Sequence, residues 1–423
     1  MRPKLGNGSP FSKAIVALFL LLLYSVFDTT SWPMSGPLIF ICRFSVTFKH
    51  LNFLRDFGLP TPYKQYQDEV GADIKQTLQD KGCQPILFIG SGLSQRYFKG
   101  PSWIGLLTQL ASTCSLIDKN FAFYKQNYAS LIDIGEHFSQ CFQEWAWGEG
   151  VKHFPKDLFE STDGKIYIKY ATCEYFQQIT PTNLSEDRLR IHQSEIQALR
   201  RIRPHSVITT NYDTFADILF ENYESIIGQK VLKTNFASVG ELFKIHGCVT
   251  DPPTLVLTRK DYNEFTRKKK YLSSKLLTYF AEHPLVFLGY QAEDPNIQGI
   301  MSDIDEILAG RGELVNNIFF VEWKPGCETM SSLQRERVLV IEGGNSIRVK
   351  NIVADSYKWV YDAFASRPEL TKVDPKILRA LMSRSYELVR CDIPQSPSRL
   401  ITRNSKGQPK KTDFFRLSTV LQP

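Results

Sequence analysis

The sequence lacks the cysteine spacing of a zinc-binding or disulfide-stabilised protein. Its eight cysteines stand singly, with no Cys-x-x-Cys pair and no regular interval between them. It also lacks the Walker A, His-Glu-x-x-His and Gly-x-Ser-x-Gly motifs, which are the signatures of P-loop hydrolases, zinc proteases and serine hydrolases. We therefore predict a protein of a reducing compartment that binds no metal.

The longest apolar run near the N-terminus, AIVALFLLLLYSVF at residues 14–27, is too short for a comfortable membrane span. It follows Arg2, Lys4 and Lys13, which is the layout of a signal peptide. Secretion or anchoring is one interpretation. A leader without signal function, or a helix that docks on a partner, is the other and is favoured, so we expect a cytoplasmic protein without a stable membrane anchor. Residues 1–60 are left out of the fold prediction.

The net charge of +7 is concentrated at the C-terminus. Residues 366–423 contain twelve Lys or Arg and five Asp or Glu, a surplus that equals the +7 of the whole chain. A solvated basic extension is favoured over a nucleic-acid contact or a contact with an acidic partner.

From about residue 61 to 365 the pattern predicts an α/β domain with a Rossmann-like parallel sheet and helices on both faces. Continuous apolar runs are typical of strands covered on both sides; they are PILFI, HSVITTNYD, ELFKIHG, TLVLT, HPLVFLGY and NNIFFVEW. Between the first two, residues 105–200 predict a mostly helical, aromatic-rich insertion, in which KIYIKYA is the clearest strand candidate.

Four of these strands end in polar or glycine clusters, which a parallel sheet brings to one crevice. The first ends in Gly90, Ser91, Gly92 and Ser94, a turn suited to a diphosphate, although a third glycine is missing because position 95 is Gln. The others end in Asn211 and Asp213, in His246, and in Gly289 and Tyr290. Taken singly, each has a structural interpretation: a tight turn, a helix cap, or a buried histidine.

Taken together and in order, the clusters resemble the sirtuin family, and within it the divergent prokaryotic branch of NAD hydrolases in antiphage defence. The resemblance rests on GSGLS, TTNYD, KIHG and FLGYQAEDPNI, with PSW after the glycine turn and TLVLTRKDYNEF after the histidine. Sirtuins that deacylate proteins carry two Cys-x-x-Cys pairs, and here the helical insertion stands in their place. Thr210, Tyr212 and Tyr290 also depart from the family pattern.

The resemblance implies NAD+ as substrate and its cleavage to nicotinamide and ADP-ribose. It assigns the attacking water and the ribose to Asn211, proton acceptance to His246, and the nicotinamide carboxamide to Asp213. Gly90, Ser91, Gly92 and Ser94 are expected to hold the diphosphate, and Gly289 and Tyr290 to line the ribose and adenine side.

The biological role that the resemblance implies is an abortive-infection effector that depletes NAD+. A homo-oligomer and a HerA-type ATPase are the partners expected by analogy, because such an activity must be conditional. Three alternatives remain open: an NAD-dependent protein deacylase, an ADP-ribosyltransferase, and a catalytically silent nucleotide-binding scaffold of a defence complex.

Overall fold

A computed structural model describes residues 61–228, 239–268, 270–290, 301–302, 314–340, 346–366, 376–382 and 384. The chain divides into two compact units, one of residues 1–65 and 328–331 and the other of residues 66–327 and 332–423. In the smaller unit, the amide of Gln65 donates to the carbonyl of Thr61 at 2.9 Å. The predicted leader and most of the basic extension lie outside the described residues.

The described residues contain eight strands and eleven α-helices. The helices are α1 Pro62–Lys81, α2 Ser91–Phe98, α3 Trp103–Thr113, α4 Phe121–Asn127, α5 Leu131–Ala146, α6 Ile166–Ile179, α7 Gln193–Ile202, α8 Phe215–Leu219, α9 Arg259–Lys268, α10 Lys270–Glu282 and α11 Lys358–Phe364. The strands are β1 Ile86–Ile89, β2 Ser206–Thr209, β3 Glu224–Ile227, β4 Glu241–Lys244, β5 Leu285–Leu288, β6 Leu314–Trp323, β7 Glu336–Val340 and β8 Ser346–Ala354.

The strands form one sheet in the order β3-β4-β2-β1-β5-β6-β8-β7, in which every neighbouring pair is parallel except β7 and β8. Strands β1, β2, β4 and β5 are buried at every residue, as the continuous apolar runs predict. On one face of the sheet, Phe287 stacks between Phe88 and Phe320 with ring centroids 4.7 and 4.5 Å apart. The predicted Rossmann-like parallel α/β fold is confirmed.

The direction of the chain across the sheet reverses at β1. The chain passes from β1 to β2 on one side and later returns to β5 on the other, so β1 and β5 are neighbours that are far apart in sequence. In open parallel sheets the crevice outside the carboxyl ends of such strands is the usual ligand site. The glycine turn follows β1 and Gly289 follows β5, so both lie at this reversal point.

Helices α3 to α7 fill the long connection between β1 and β2. Their aromatic residues form a core, in which the side chains of Phe138 and Phe142 on α5 are fully buried. The strand expected at KIYIKYA is wrong, because this segment belongs to α6. The buried apolar side chains of α6 extend to Phe176 and lie on several sides of the helix. In the sequence, a short run with β-branched residues is compatible with either a buried helix or a strand. The division of the chain into residues 1–60, 61–365 and 366–423 stays a prediction.

The strand expected at TLVLT is also wrong. Residues 254–258 form no strand; instead the amide of Val256 makes a single bond to the carbonyl of His246, at 3.0 Å. Among the described residues, no helix combines the length and apolarity needed to cross a membrane. Within the same ranges, no group of three or more His, Cys, Asp or Glu residues is arranged to hold a metal ion.

Candidate functional site

The turns after β1 and β5 are packed directly against each other. The amide of Gly92 donates to the carbonyl of Gly289 at 2.9 Å, and Gly289 has a φ of +73°. A Cβ on Gly289 would lie 2.3 Å from the amide nitrogen of Leu93, and one on Gly90 would lie 2.7 Å from the carbonyl oxygen of Gly289. These glycines are therefore required by close backbone packing, in addition to the predicted approach of a phosphate.

Tyr290 lies over the glycine turn and connects the ends of β1 and β2. Its hydroxyl donates to the carbonyl of Ile89 at 3.1 Å and is 3.1 Å from the hydroxyl of Thr210, which is left to act as the donor. A Cβ on Gly90 would lie 2.9 Å from the tyrosine ring. Tyr290 thus lies beside the glycine turn, and its role toward the ribose and adenine stays a prediction.

Asn211, Ser94 and Asp213 form a buried chain of hydrogen bonds. The side-chain nitrogen of Asn211 donates to Ser94 Oγ at 3.0 Å and to the carbonyl of Gly90 at 3.1 Å. Ser94 Oγ in turn donates to Asp213 Oδ2 at 2.8 Å. The Ser94 hydroxyl therefore links Asn211 to Asp213. It makes these bonds in addition to any contact with a diphosphate.

The orientation of the Asn211 amide follows from these bonds. Both N–H groups of Nδ2 are used, which fixes the plane of the amide. Oδ1 accepts no hydrogen bond from the part of the chain that the structure describes. A fixed amide with an available carbonyl oxygen is an acceptor suited to a water molecule or a sugar hydroxyl.

Asp213 is buried and hydrogen-bonded through both carboxyl oxygens. Oδ1 accepts from the amide of Phe215 at 3.0 Å, which is the helix-capping role that the sequence also allowed. Burial raises the pKa of this carboxyl, and the nearby Lys244 and the bond from Ser94 oppose that shift. Because both oxygens accept hydrogen bonds, the surroundings match the ionised form despite the raised pKa.

His246 lies at the end of β4, beside the segment that carries Asn211. The amide of Ile245 donates to the carbonyl of Thr209 and that of Val249 to the carbonyl of Tyr212, both at 3.0 Å. These bonds flank both residues, so the two segments run side by side. The imidazole is 3% exposed, and its centroid is 5.1 and 5.5 Å from those of the aromatic rings of Phe265 and Tyr262 on α9.

Lys244 is a part of the site that the sequence did not suggest. Its side chain is fully buried beneath the β2–α8 turn, with Nζ 2.7 Å from the carbonyl oxygen of Asp213 and 2.6 Å from Asp217 Oδ2. A lysine in a strand that is buried at every residue requires a buried partner. The lysine of FKIHG was therefore a signal in the sequence that Lys244 has a buried partner.

The structure thus places all the predicted site residues at the carboxyl end of the sheet, while their roles toward a ligand stay predictions. It joins Gly90, Ser94, Asn211 and Asp213 by direct bonds, and Gly92 and Gly289 by another. Ser91, the first residue of α2, is exposed and accepts a bond from Gln95 at 3.4 Å. The continuation of the late glycine motif, residues 291–300, lies outside the described residues.

A cavity of about 490 Å³ lies away from this site, between α1 and strands β6 to β8. Its lysine, Lys350, is 2.7 Å from Asp73 and 3.1 Å from Thr77. This cation is already paired within the wall, and the cavity holds none of the predicted residues.

Fold and site together define a doubly wound α/β protein with a buried polar site at its reversal point. Residues 205–342 match the family model described as SIR2-like domain. This segment is therefore similar to the SIR2-like family, and it contains three of the four ordered motifs on which the resemblance rests, TTNYD, KIHG and FLGYQAEDPNI.

Three curated relatives are similar to parts of the chain. Defense-associated sirtuin 2 of Bacillus subtilis is 24% identical over 199 residues, which are 45% of this chain and 18% of the relative. The NAD(+) hydrolase ThsA of Enterococcus faecium is 28% identical over 208 residues, 44% of this chain and 42% of the relative. ThsA of Bacillus cereus (strain MSX-D12) is 27% identical over 111 residues, 25% of this chain and 23% of the relative. The chain thus spans less than half the length of each.

Proposed function

We propose that the protein hydrolyses NAD+ to nicotinamide and ADP-ribose. The observation that carries this proposal is the fixed amide of Asn211, whose nitrogen donates to Gly90 and Ser94 and whose carbonyl oxygen accepts no bond from the described residues. The names of two relatives, NAD(+) hydrolase ThsA, support the same reaction. No metal is needed for it.

The chemistry requires positioning more than acid catalysis. When the bond between C1′ of the ribose and the nicotinamide nitrogen breaks, its electron pair neutralises the positive ring, so the leaving group needs no proton. The ribose becomes cationic, and the oxygen of a water bonds to C1′ while a proton of that water or of a ribose hydroxyl is lost. Asn211 Oδ1 would hold the water or the sugar, and His246 would accept the proton.

The remaining residues would bind and orient the dinucleotide. Asp213 would accept from the nicotinamide carboxamide, and the turn of Gly90 to Gly92 at the start of α2 would meet the diphosphate. Gly289 and Tyr290 would line the ribose and adenine side. The relative named a defence-associated sirtuin supports a role as an antiphage effector that depletes cytoplasmic NAD+. Homo-oligomerisation and a HerA-type ATPase are proposed means of control.

The test compares two asparagines whose amides are held alike. Asn317 lies near the amino end of the sheet, where its Nδ2 donates to the carbonyls of Phe280 and His283 at 2.8 and 2.9 Å. Purified full-length protein, Asn211→Ala and Asn317→Ala are incubated with NAD+, and nicotinamide and ADP-ribose are separated by chromatography. We expect Asn211→Ala to lose at least about 100-fold in turnover and Asn317→Ala to retain turnover within a few fold.

The products distinguish the alternatives. Stoichiometric nicotinamide and free ADP-ribose without any acceptor support hydrolysis, whereas ADP-ribosylated protein or deacylated peptide would indicate the corresponding transferase or deacylase. Binding of ADP-ribose without nicotinamide release, both alone and with a HerA-type ATPase added, would indicate a scaffold and overturn the proposal. Full turnover by Asn211→Ala would overturn the assigned role of the amide.

A further inference from the structure

Lys244 is the last residue of β4, and its ammonium lies directly beneath the TTNYD turn. The side chain is fully buried, whereas the side chain of its partner Asp217 is 31% exposed. One hydrogen bond goes to the carbonyl of Asp213, and the ion pair goes to Asp217 on α8. One cation therefore holds both Asp213, at the end of the TTNYD turn, and Asp217 on α8.

The cost of burying this cation is offset by fixed partners. Burial lowers the pKa of the Lys244 ammonium, but the ion pair with Asp217, together with Cys248, raises it above its ordinary value. Asp217 Oδ1 accepts in turn from Ser225 Oγ on β3 at 2.7 Å. Lys244 therefore keeps its positive charge. Its ammonium binds the backbone carbonyl of Asp213 and the carboxylate of Asp217.

We propose that Lys244 is a positioning residue that holds the turn of residues 210–214 to the start of α8, so that Asn211 and Asp213 face the glycine turn. The Asp213 carbonyl is anchored from below by Lys244, while its carboxyl is anchored from the side by Ser94. Without Lys244, the turn loses its anchor on β4. The consequence for turnover rests on the proposed function, but the order of the turn can be measured without it.

Lys244 also acts on the titration of Asp213. Burial raises the pKa of Asp213; Lys244 and Ser94 lower it, and Asp217 raises it. The hydrogen bonds received by Asp213 match its ionised form, so turnover should rise with pH through this raised pKa. Removing the ammonium should raise the pKa further and move the acidic limb of the pH profile to higher pH.

The experiment uses a matched buried pair at the other end of the same strand. Glu241 is the first residue of β4, and its carboxylate is 2.8 Å from Nζ of Lys275. Lys244→Met and Lys275→Met each remove one partner of a buried ion pair, so both should lower stability. Hydrogen–deuterium exchange of the full chain should show faster exchange of residues 209–217 in Lys244→Met only. Lys275→Met should instead affect the amino end of β4 and α10.

Kinetics provide the second measurement. Lys244→Met should lower kcat about 10- to 100-fold with a smaller change in KM, and should shift the acidic limb upward; Lys275→Met should do neither. If Lys244→Met fails to fold, Asp217→Asn, which removes the ion pair that fixes the Lys244 ammonium beneath the turn, should show the faster exchange. Equal exchange and equal pH profiles in both lysine variants would overturn the proposal. Absence of nicotinamide release by the unmodified protein would instead overturn the proposed function, and the exchange result would still decide the positioning role.

Discussion

The two ends of the parallel sheet carry the same kinds of polar side chain but pair them differently. At the amino end, Asn317 donates to the backbone carbonyls of Phe280 and His283, and His283 Nδ1 lies 2.7 Å from the carbonyl oxygen of Gln84, to which it donates. These bonds satisfy the last carbonyls of α10 and join neighbouring strands. Their partners are backbone groups, which is typical of polar side chains that stabilise a fold.

At the carboxyl end, the side chains bond to one another in series. Asn211 donates to Ser94, and Ser94 donates to Asp213, whose carbonyl receives Lys244. Such networks are costly when incompletely satisfied, yet Asn211 Oδ1 accepts no bond from the part of the chain that the structure describes. Residue type alone therefore does not distinguish a structural asparagine from a candidate catalytic one. The two asparagines differ in their partners, because Asn317 donates only to backbone carbonyls and Asn211 donates also to the side chain of Ser94. They differ also in Asn211 Oδ1, which accepts no bond from the described residues.

The largest expected effect comes from exchanging the two buried histidines for alanine. His246→Ala should lower kcat of NAD+ hydrolysis about 100- to 10,000-fold, because a positioned general base contributes that much. His283→Ala should change kcat only a few fold but lower the free energy of unfolding by about 1–3 kcal/mol, because the carbonyl of Gln84 loses its donor. Steady-state kinetics and urea unfolding measure the two quantities. Equal losses of turnover in both variants would remove the functional distinction between the ends.

A smaller effect on stability is expected at two glycines with left-handed backbone. Gly289 and Gly82 have φ values of +73° and +65°, but a Cβ meets nothing within 4 Å at Gly82, which precedes the amino end of β1. Gly82→Ala should therefore cost only the conformational strain, about 1–2 kcal/mol. Gly289→Ala should cost about 2–5 kcal/mol, because the methyl group also meets the backbone of Leu93.

Urea unfolding midpoints of the two alanine variants test this contrast. Since the clash at Gly289 is with backbone rather than with a flexible side chain, it cannot be relieved by a rotamer change. A Gly289→Ala variant no less stable than Gly82→Ala would show that the turns after β1 and β5 are not packed as described. It would also weaken the assignment of both turns to one site.

Much of the sheet was predictable because strands covered on both faces are uninterrupted apolar runs. The runs before Gly90, at residues 206–209 and before Gly289 each became a buried parallel strand. The edge strands β3 and β7 were not predicted, since both expose several residues and lack such a run. KIYIKYA and TLVLT were assigned wrongly because short β-branched segments occur equally in buried helices and in extended loops.

The candidate site was predictable in position but not in connectivity. The order of the motifs and the parallel sheet are enough to bring Asn211 and His246 to one edge. The bond from Asn211 to Ser94 joins residues 117 positions apart, and nothing in either segment specifies it. The sequence therefore assigned Ser94 to a diphosphate only. The Lys244–Asp217 pair was missed because a single lysine in a strand shows that a partner is needed without showing which one.

The smallest expected effect concerns the buried acids at the two ends, Asp213 and Glu241. Burial raises the pKa of both carboxyls, although Lys244 and Lys275 oppose the shifts. Between the unfolded pKa, near 4, and the raised folded pKa, the folded protein binds more protons, so its stability falls as pH rises through that window. Each pH unit of the shift corresponds to about 1.4 kcal/mol.

Asp213→Asn and Glu241→Gln should therefore each make the free energy of unfolding less dependent on pH between 4 and 8, in urea titrations at several pH values. Because the two acids lie at opposite ends of the sheet, the effects should add in the double variant. Only Asp213→Asn should also reduce turnover, since its carboxylate is the one that faces the Asn211–Ser94 chain. A steeper decline of stability with pH in Asp213→Asn would mean that its carboxyl is stabilised as an anion in the fold. Lys244 would then outweigh burial, and the acidic limb of turnover would lie below pH 4.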